Sequence, residues 1–110
     1  MKLRELIRHF AEERIKPIRA ALDESDQFPI DLMKELGRLD FFRIFIPEEY
    51  EGFGFGVFEL CLVMEEISRV CGGVGTSFAV NALGAYPIVK FGSEEQKAKY
   101  LPDIASGKKL

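Results

Sequence analysis

A chain of 110 residues is enough for one compact domain, and with 47% hydrophobic and 30% charged residues it is composed like an ordinary globular protein, which excludes disordered and collagen-like chains. Fifteen Lys and Arg stand against eighteen Asp and Glu, a formal net charge of -3, and no stretch gathers the basic cluster that a phosphate backbone needs. Nucleic acid is not an expected partner.

Charges at Lys2, Arg4, Glu5 and Arg8 leave no apolar run after Met1, so no secretory leader is expected and the mature chain should start where the sequence starts. Leu3, Ile7, Ala11, Ile15, Ile18 and Leu22 recur at three-to-four spacing and predict a first helix over 3–22 with one apolar stripe. Pro17 removes a backbone donor inside it, so a kink or short break is expected there. Glu12, Glu13, Arg14, Lys16 and Arg19 fall mostly off the stripe and read as a solvated face. His9 has no partner motif and reads as a surface side chain.

A second helix is predicted from Pro29, a residue suited to a first turn, with Leu32, Met33, Leu36 and Leu39 on one face and an end near Asp40. Residues 41–47, aromatic and β-branched, predict an extended crossing, and Gly52, Gly54 and Gly56 punctuate the loop that begins at Glu48. G-F-G-F-G lacks the glycine spacing and the Lys-Ser/Thr of a phosphate-cradling loop, so these read as turn glycines.

Leu60, Val63, Met64, Ile67 and Val70 mark the apolar face of a third helix, with Glu59, Glu65, Glu66 and Arg69 largely outside it. Neighbours on a helix point about 100° apart, so Glu65 and Glu66 do not converge as two catalytic carboxylates would, and a solvent or interface role is expected for them. Cys61 and Cys71 lie about 15 Å apart along a helix axis, too far for a mutual disulfide. Neither belongs to a metal-type spacing, so both are expected to be buried apolar thiols in a reducing, cytoplasmic setting, and no metal site is assigned.

No charge occurs from Val70 to Val89, but Gly72 and Gly73 interrupt the run, and Thr76, Ser77, Asn81, Gly84 and Pro87 make the rest short and semipolar for a bilayer. No membrane span is expected. A fourth helix over 74–91, apolar almost all round, should be enclosed by the others and be the most buried of the set. Gly75, Ala79 and Ala82 recur along one face, a pattern that either admits a neighbouring helix closely or leaves room for a ligand. Ser93-Glu94-Glu95-Gln96 is a capping box that starts a fifth helix through Tyr100, Leu101 and Ile104 towards Gly107, with Pro102 disturbing its middle. Strand signals are nearly absent. The expected fold is all-α, one domain over 1–110, with five main helices in an up-and-down bundle.

In order along the chain, Phe10-Ala11-Glu12-Glu13-Arg14-Ile15-Lys16-Pro17, Ile46-Pro47-Glu48-Glu49-Tyr50 and Glu65-Glu66-Ile67-Ser68-Arg69 resemble motifs of the acyl-CoA dehydrogenase N-terminal domain. Phe91-Gly92-Ser93-Glu94-Glu95-Gln96-Lys97, Tyr100-Leu101-Pro102 and Ala105-Ser106-Gly107 look like the segment that leads into that family's middle β-domain, so the resemblance covers essentially the whole chain. Asp40, Arg43 and Glu51 depart from it, standing where the family usually has glycine. Asp tolerates left-handed backbone better than most residues, whereas Arg43 and Glu51 have no such tolerance, and the local loop shape is expected to differ.

The resemblance implies an enzyme that oxidises an acyl-CoA thioester to the 2,3-enoyl-CoA in fatty acid metabolism. It implies FAD as cofactor, an electron-transfer flavoprotein as acceptor, and a homodimer or homotetramer at full length. In the family a glutamate, usually in the C-terminal helical domain, removes the α-proton while hydride passes from the β-carbon to flavin N5. No residue of 1–110 matches that base or the flavin contacts, so no catalytic or cofactor-binding residue is assigned, and the piece alone is expected to be colourless and inactive. Matching Gly-Val-x-x-x-x-x-x-Asn-x-Leu-Gly onto Gly73 through Gly84 assigns part of the acyl-chain cavity wall to Gly75, Thr76, Ala79, Val80 and Leu83. Acyl-CoA oxidases and flavin monooxygenases share the helical domain and remain alternatives within the superfamily. A stand-alone helical interaction module would need polar replacements on the surface that meets the β-domain, and the fourth helix offers none.

Overall fold

The stripe over 3–22 folds as one helical rod that changes pitch twice, as the computed structural model, which describes residues 2–110, makes visible. The α-helix α1 (Lys2–Phe10) runs into a wide π turn over Ala11–Ile15, a tight 3-10 turn over Lys16–Ile18 and then α2 (Arg19–Ser25). Pro17 explains the sequence of pitches. In a regular α-helix its ring would press on the Glu13 carbonyl, and its missing N–H would leave that carbonyl unpaired. The chain instead closes a wider ring, Lys16 N–H donating to Ala11 O, and then tightens. The expected kink is thus spread over 11–18. Ile7, Phe10, Ala11 and Ile15 are buried, while Ile18 and Leu22 at the far end are not.

Helix α3 (Ile30–Arg38) starts one residue later than the sequence predicts, with Pro29 as the residue before the helix, where an absent N–H costs nothing. Its buried face is Leu32, Met33, Leu36 and Gly37, and Leu39, expected on that face, is exposed because the helix ends at it. Gly37 lies against Gly107, whose φ is +73°; a Cβ on Gly37 would sit 3.0 Å from the Gly107 Cα, so this crossing needs both glycines.

Residues 41–47 do not form the extended crossing expected. Phe41–Arg43 is a 3-10 turn followed by further turns, and Phe41, Phe42, Ile44, Phe45 and Ile46 are all buried. An extended segment would point alternate side chains outward and leave its backbone groups without a ladder partner. Coiling turns these side chains inward while Ile44 N–H and Ile46 N–H bond back to Phe41 O and Arg43 O. The result is an aromatic plug: Phe42 stacks on Phe78 at 5.3 Å between ring centroids, and Phe45 meets Phe78 edge-on at 6.2 Å.

After a short turn at Glu48–Tyr50 come the three long helices, α4 (Val57–Val70), α5 (Gly72–Phe91) and α6 (Glu94–Ala105). The N-terminal rod packs on α4, α4 on α5 and α5 on α6, and no strand occurs among the described residues, so the chain is an all-α bundle of five main helices with the rod counted once. The capping box is made as read: Gln96 N–H donates to Ser93 Oγ at 3.1 Å and Ser93 N–H to Gln96 Oε1 at 2.9 Å. Pro102, expected to disturb α6, leaves it continuous to Ala105.

Two burial expectations need correction. Cys61 is exposed and Cys71 only half-buried, because α4 turns Leu62, Val63, Glu66, Ile67 and Val70 inward. Helix α5 buries Val74, Gly75, Phe78, Asn81, Ala82 and Ala85 but leaves Val80 at 47%, Leu83 at 70% and Phe91 at 89% exposure, so α3 and α4 bury a larger share of their residues. Its sequence is apolar almost all round, but this chain leaves the side bearing Val80, Leu83 and Phe91 uncovered.

The plug should dominate stability. Phe42→Ala is expected to cost about 3–5 kcal/mol, read as a lowered denaturant midpoint at unchanged slope, whereas Phe58→Ala at the exposed start of α4 should stay within about 0.5 kcal/mol.

Candidate functional site

The side of α5 that this chain leaves uncovered carries a groove. Residues recurring at helical spacing, Ala79, Ala82, Leu83, Tyr86, Pro87 and Phe91, join Leu60 of α4 to line a groove of about 480 Å³, with Lys90 the one charged residue on its edge. The alanines keep its floor low and Leu83 and Tyr86 raise its sides. The Tyr86 ring lies 6.4 Å from Phe45, and burial pushes its phenol above the ordinary value of 10.0.

The five wall residues read from the sequence are dispersed. Ala79 and Leu83 share the groove. Val80 lines a second hollow of about 330 Å³, with Asn81, Gly84, Ile88, Tyr100 and Ile104. Thr76 is exposed and its hydroxyl donates to the Gly72 carbonyl at 3.0 Å, as Ser77 does to Gly73. Gly75 is buried against α4, where a Cβ would come within 2.2 Å of Ser68 Oγ. Of the two explanations for the small residues, close helix packing therefore holds at Gly75, and open space at Ala79. Leu60, Tyr86 and Pro87 were not assigned to the wall. Extending the 79, 83 spacing by another turn to 86, 87 and 90 is the signal that reaches two of them.

Glu65 and Glu66 diverge, as neighbours on a helix must, but Glu66 is not solvated. It is 2% exposed and turned toward α1, its two oxygens taking Arg8 Nε at 2.9 Å and Nη2 at 2.8 Å, with Arg69 Nε at 3.4 Å and Arg4 Nε at 3.6 Å. Glu65 stays outside and pairs with Arg4 at 2.8 Å. Arg69 reaches on to Glu12, which Lys16 also approaches at 3.3 Å. The hydrogen bonds from Arg8 hold the Glu66 carboxyl below its ordinary range against the opposing effect of burial, and the bond from Arg69 does the same for Glu12. Glu66 is thus ionised at neutral pH with its oxygens occupied, and acts as a bolt between α1 and α4 rather than as an acid or base.

The glycine loop offers no cradle for the phosphates of a dinucleotide. Gly52 N–H donates to Pro47 O and Gly54 N–H to Ile46 O, and a Cβ on Gly52 would lie 1.8 Å from the Ile46 carbonyl, so the loop folds onto its own chain. Among the described residues no helix is long and apolar enough to cross a membrane.

The family described as acyl-CoA dehydrogenase, N-terminal domain, matches residues 1–108. An acyl-CoA dehydrogenase of Bacillus subtilis (strain 168) is 39% identical over 109 residues, covering 98% of this chain and 29% of that protein. A short-chain specific acyl-CoA dehydrogenase of Clostridium acetobutylicum is 38% identical with the same coverage, and the mitochondrial isovaleryl-CoA dehydrogenase of Oryza sativa subsp. japonica is 41% identical over 96% of this chain and 27% of that protein. A chain of the solved structure "Electron transferring flavoprotein of Acidaminococcus fermentans: Towards a mechanism of flavin-based electron bifurcation" superposes with a TM-score of 0.92 at 36% identity, over 99% of this chain and 29% of that one. The chain therefore spans less than a third of the length of these relatives.

Two substitutions test this geometry. Gly75→Ala should destabilise by about 1–3 kcal/mol through overpacking, and Ser68→Ala in the same chain should recover part of the loss; thermal melting checks both. Glu66→Gln should cost about 1–3 kcal/mol at neutral pH, less than for a fully buried pair because its arginines reach solvent. The folded Glu66 value is depressed, so its contribution is present above the ordinary carboxylate value of 4.5 and is lost as pH falls through the folded value. The gap in denaturant midpoint between wild type and Glu66→Gln should accordingly narrow in acid.

Proposed function

The chain belongs to the acyl-CoA dehydrogenase N-terminal domain family, and on that premise we propose that the open side of α5 forms part of the acyl-chain cavity wall of an FAD-dependent acyl-CoA dehydrogenase. The observation that carries this reading is the carbon-lined groove with Ala79 and Leu83 inside it, on a helix whose outward face is apolar yet uncovered within this chain. An alkyl chain needs such a surface: no directional partners, a shallow floor, and enough buried area to return about 0.8 kcal/mol per methylene. Ala79 and Leu83 take the central part of the wall. Val80 lines the neighbouring hollow, Thr76 lies exposed about a turn earlier on α5, and Gly75 acts indirectly by setting how closely α5 approaches α4.

The full-length protein, in this proposal, oxidises an acyl-CoA thioester to the 2,3-enoyl-CoA. The flavin is held mainly by regions outside 1–110, and the electrons leave to an electron-transfer flavoprotein. The exposed thiol of Cys61 suits a reducing compartment such as the cytoplasm.

Replacing the Ala79 methyl with the isobutyl group of Leu tests the wall assignment in the full-length enzyme. The substitution should cut kcat/KM for the longer acyl-CoAs by more than about tenfold, the equivalent of losing a few buried methylenes, while the shortest accepted substrate is nearly unaffected. Equal loss on all chain lengths together with a lower Tm would return Ala79 to packing alone.

A further inference from the structure

Three non-glycine residues among those described hold positive φ: Asp26, Asp40 and Glu51, at 54°, 66° and 70°. Left-handed backbone crowds the Cβ against the following carbonyl; aspartate relieves this in part, and a glutamate side chain has nothing comparable to offer. Asp26 lies at the exposed end of α2. Asp40 and Glu51 are different, because they flank the aromatic plug and its following turn, and a single side chain spans them. Arg43 Nε donates to Asp40 Oδ1 at 2.8 Å and its Nη1 donates to the Glu51 carbonyl.

The backbone of Arg43 belongs to the same knot, its carbonyl accepting from Phe53 N–H at 2.7 Å, one residue before Gly54 N–H reaches Ile46 O at 2.9 Å. Gly52 passes so close that a Cβ on it would lie 1.8 Å from the Ile46 carbonyl oxygen. From this knot emerge Phe53 and Phe55, both exposed, with ring centroids 6.0 Å apart. Phe55 shares a hollow with Tyr86 and Val89, and both rings would gain by burying more of their carbon, so a loop that keeps them exposed needs a fixed backbone. A planar guanidinium offers donors in fixed directions and binds two acceptors at once, as a lysine ammonium on a flexible stem does not.

We propose that Arg43 is a clasp that holds the left-handed corners at Asp40 and Glu51 and thereby pre-organises the loop that presents Phe53 and Phe55 at the surface. The clasp acts on conformation alone and does not depend on the acyl-wall assignment.

Amide hydrogen exchange on the whole protein that carries this chain tests it. Arg43→Met should speed exchange at Phe53 and Gly54 by about tenfold or more, with the α4 amides unchanged, because the loop opens locally and not with the domain. Arg43→Lys should resemble Arg43→Met. Adding Asp40→Gly and Glu51→Gly to Arg43→Met should restore protection to within about threefold of wild type, since glycine takes left-handed backbone without help. Unchanged exchange in Arg43→Met, full protection in Arg43→Lys, or failure of the two glycines to restore it would each overturn the clasp. If Arg43→Met alone does not fold, the triple variant still decides the matter, because folding with wild-type protection supports the clasp and failing to fold overturns it.

Discussion

The rotation of α5 about its own axis is the constraint on which the rest of this domain depends, and two contacts set it. Phe78 is received by Phe42 and Phe45 on one side, and Gly75 meets Ser68 of α4 on another. With the helix held at these two points its remaining directions follow from 3.6 residues per turn: Ala82 and Ala85 turn inward, and Leu83 and Phe91 turn out. Rotating α5 by one residue position would bring a side chain into the α4 contact and draw Phe78 out of its aromatic seat. The groove at the α4–α5 seam is the consequence of that fixed rotation.

Electrostatics complements this packing at the opposite side of α4. Burying the Glu66 carboxylate opposes stability unless every lone pair is used, and here guanidinium groups from α1 and from α4 itself surround it. Such an arrangement has one good geometry, so it fixes how far α1 slides along α4, a matter on which leucine-like side chains alone are tolerant. The π turn that follows places Glu12 where Arg69 reaches it, so the pitch change forced by Pro17 also extends the charge network. Tyr50 adds a similar tie further along, its hydroxyl donating to Glu94 at the start of α6, which pushes its phenol up to about 12.

Helix existence and order were legible from apolar spacing, Pro and Gly positions and the capping box, because each is a local property of a few consecutive residues. The segment 41–47 was not: its strand-like composition predicts an extended crossing, but burial of Phe41, Phe42, Ile44, Phe45 and Ile46, with only Arg43 among them half-buried, requires turns that gather neighbours onto one side. Glu66, for which the sequence leaves a solvent or an interface role open, was undecided for a related reason. A glutamate beside another glutamate on a helix looks solvated until Arg8, fifty-eight residues earlier in the chain, arrives beside it. At Arg43 and Glu51 the sequence alone could not supply the partners: Asp40 and Glu51 hold left-handed backbone and Arg43 joins them.

By itself the sequence determined an all-α domain, its helix order, its family and a short list of small residues along α5. Those depend on periodicity and on motifs in order, which need no knowledge of what lies across space. Only the tertiary structure decided which small residue makes which contact: Gly75 is small because α4 lies against it, and Ala79, one turn later, borders open space. It also decided that a helix apolar almost all round leaves the side bearing Val80, Leu83 and Phe91 uncovered within this chain. A side chain's periodicity tells whether it avoids water, whereas what it packs against depends on neighbours that the fold brings from elsewhere in the chain.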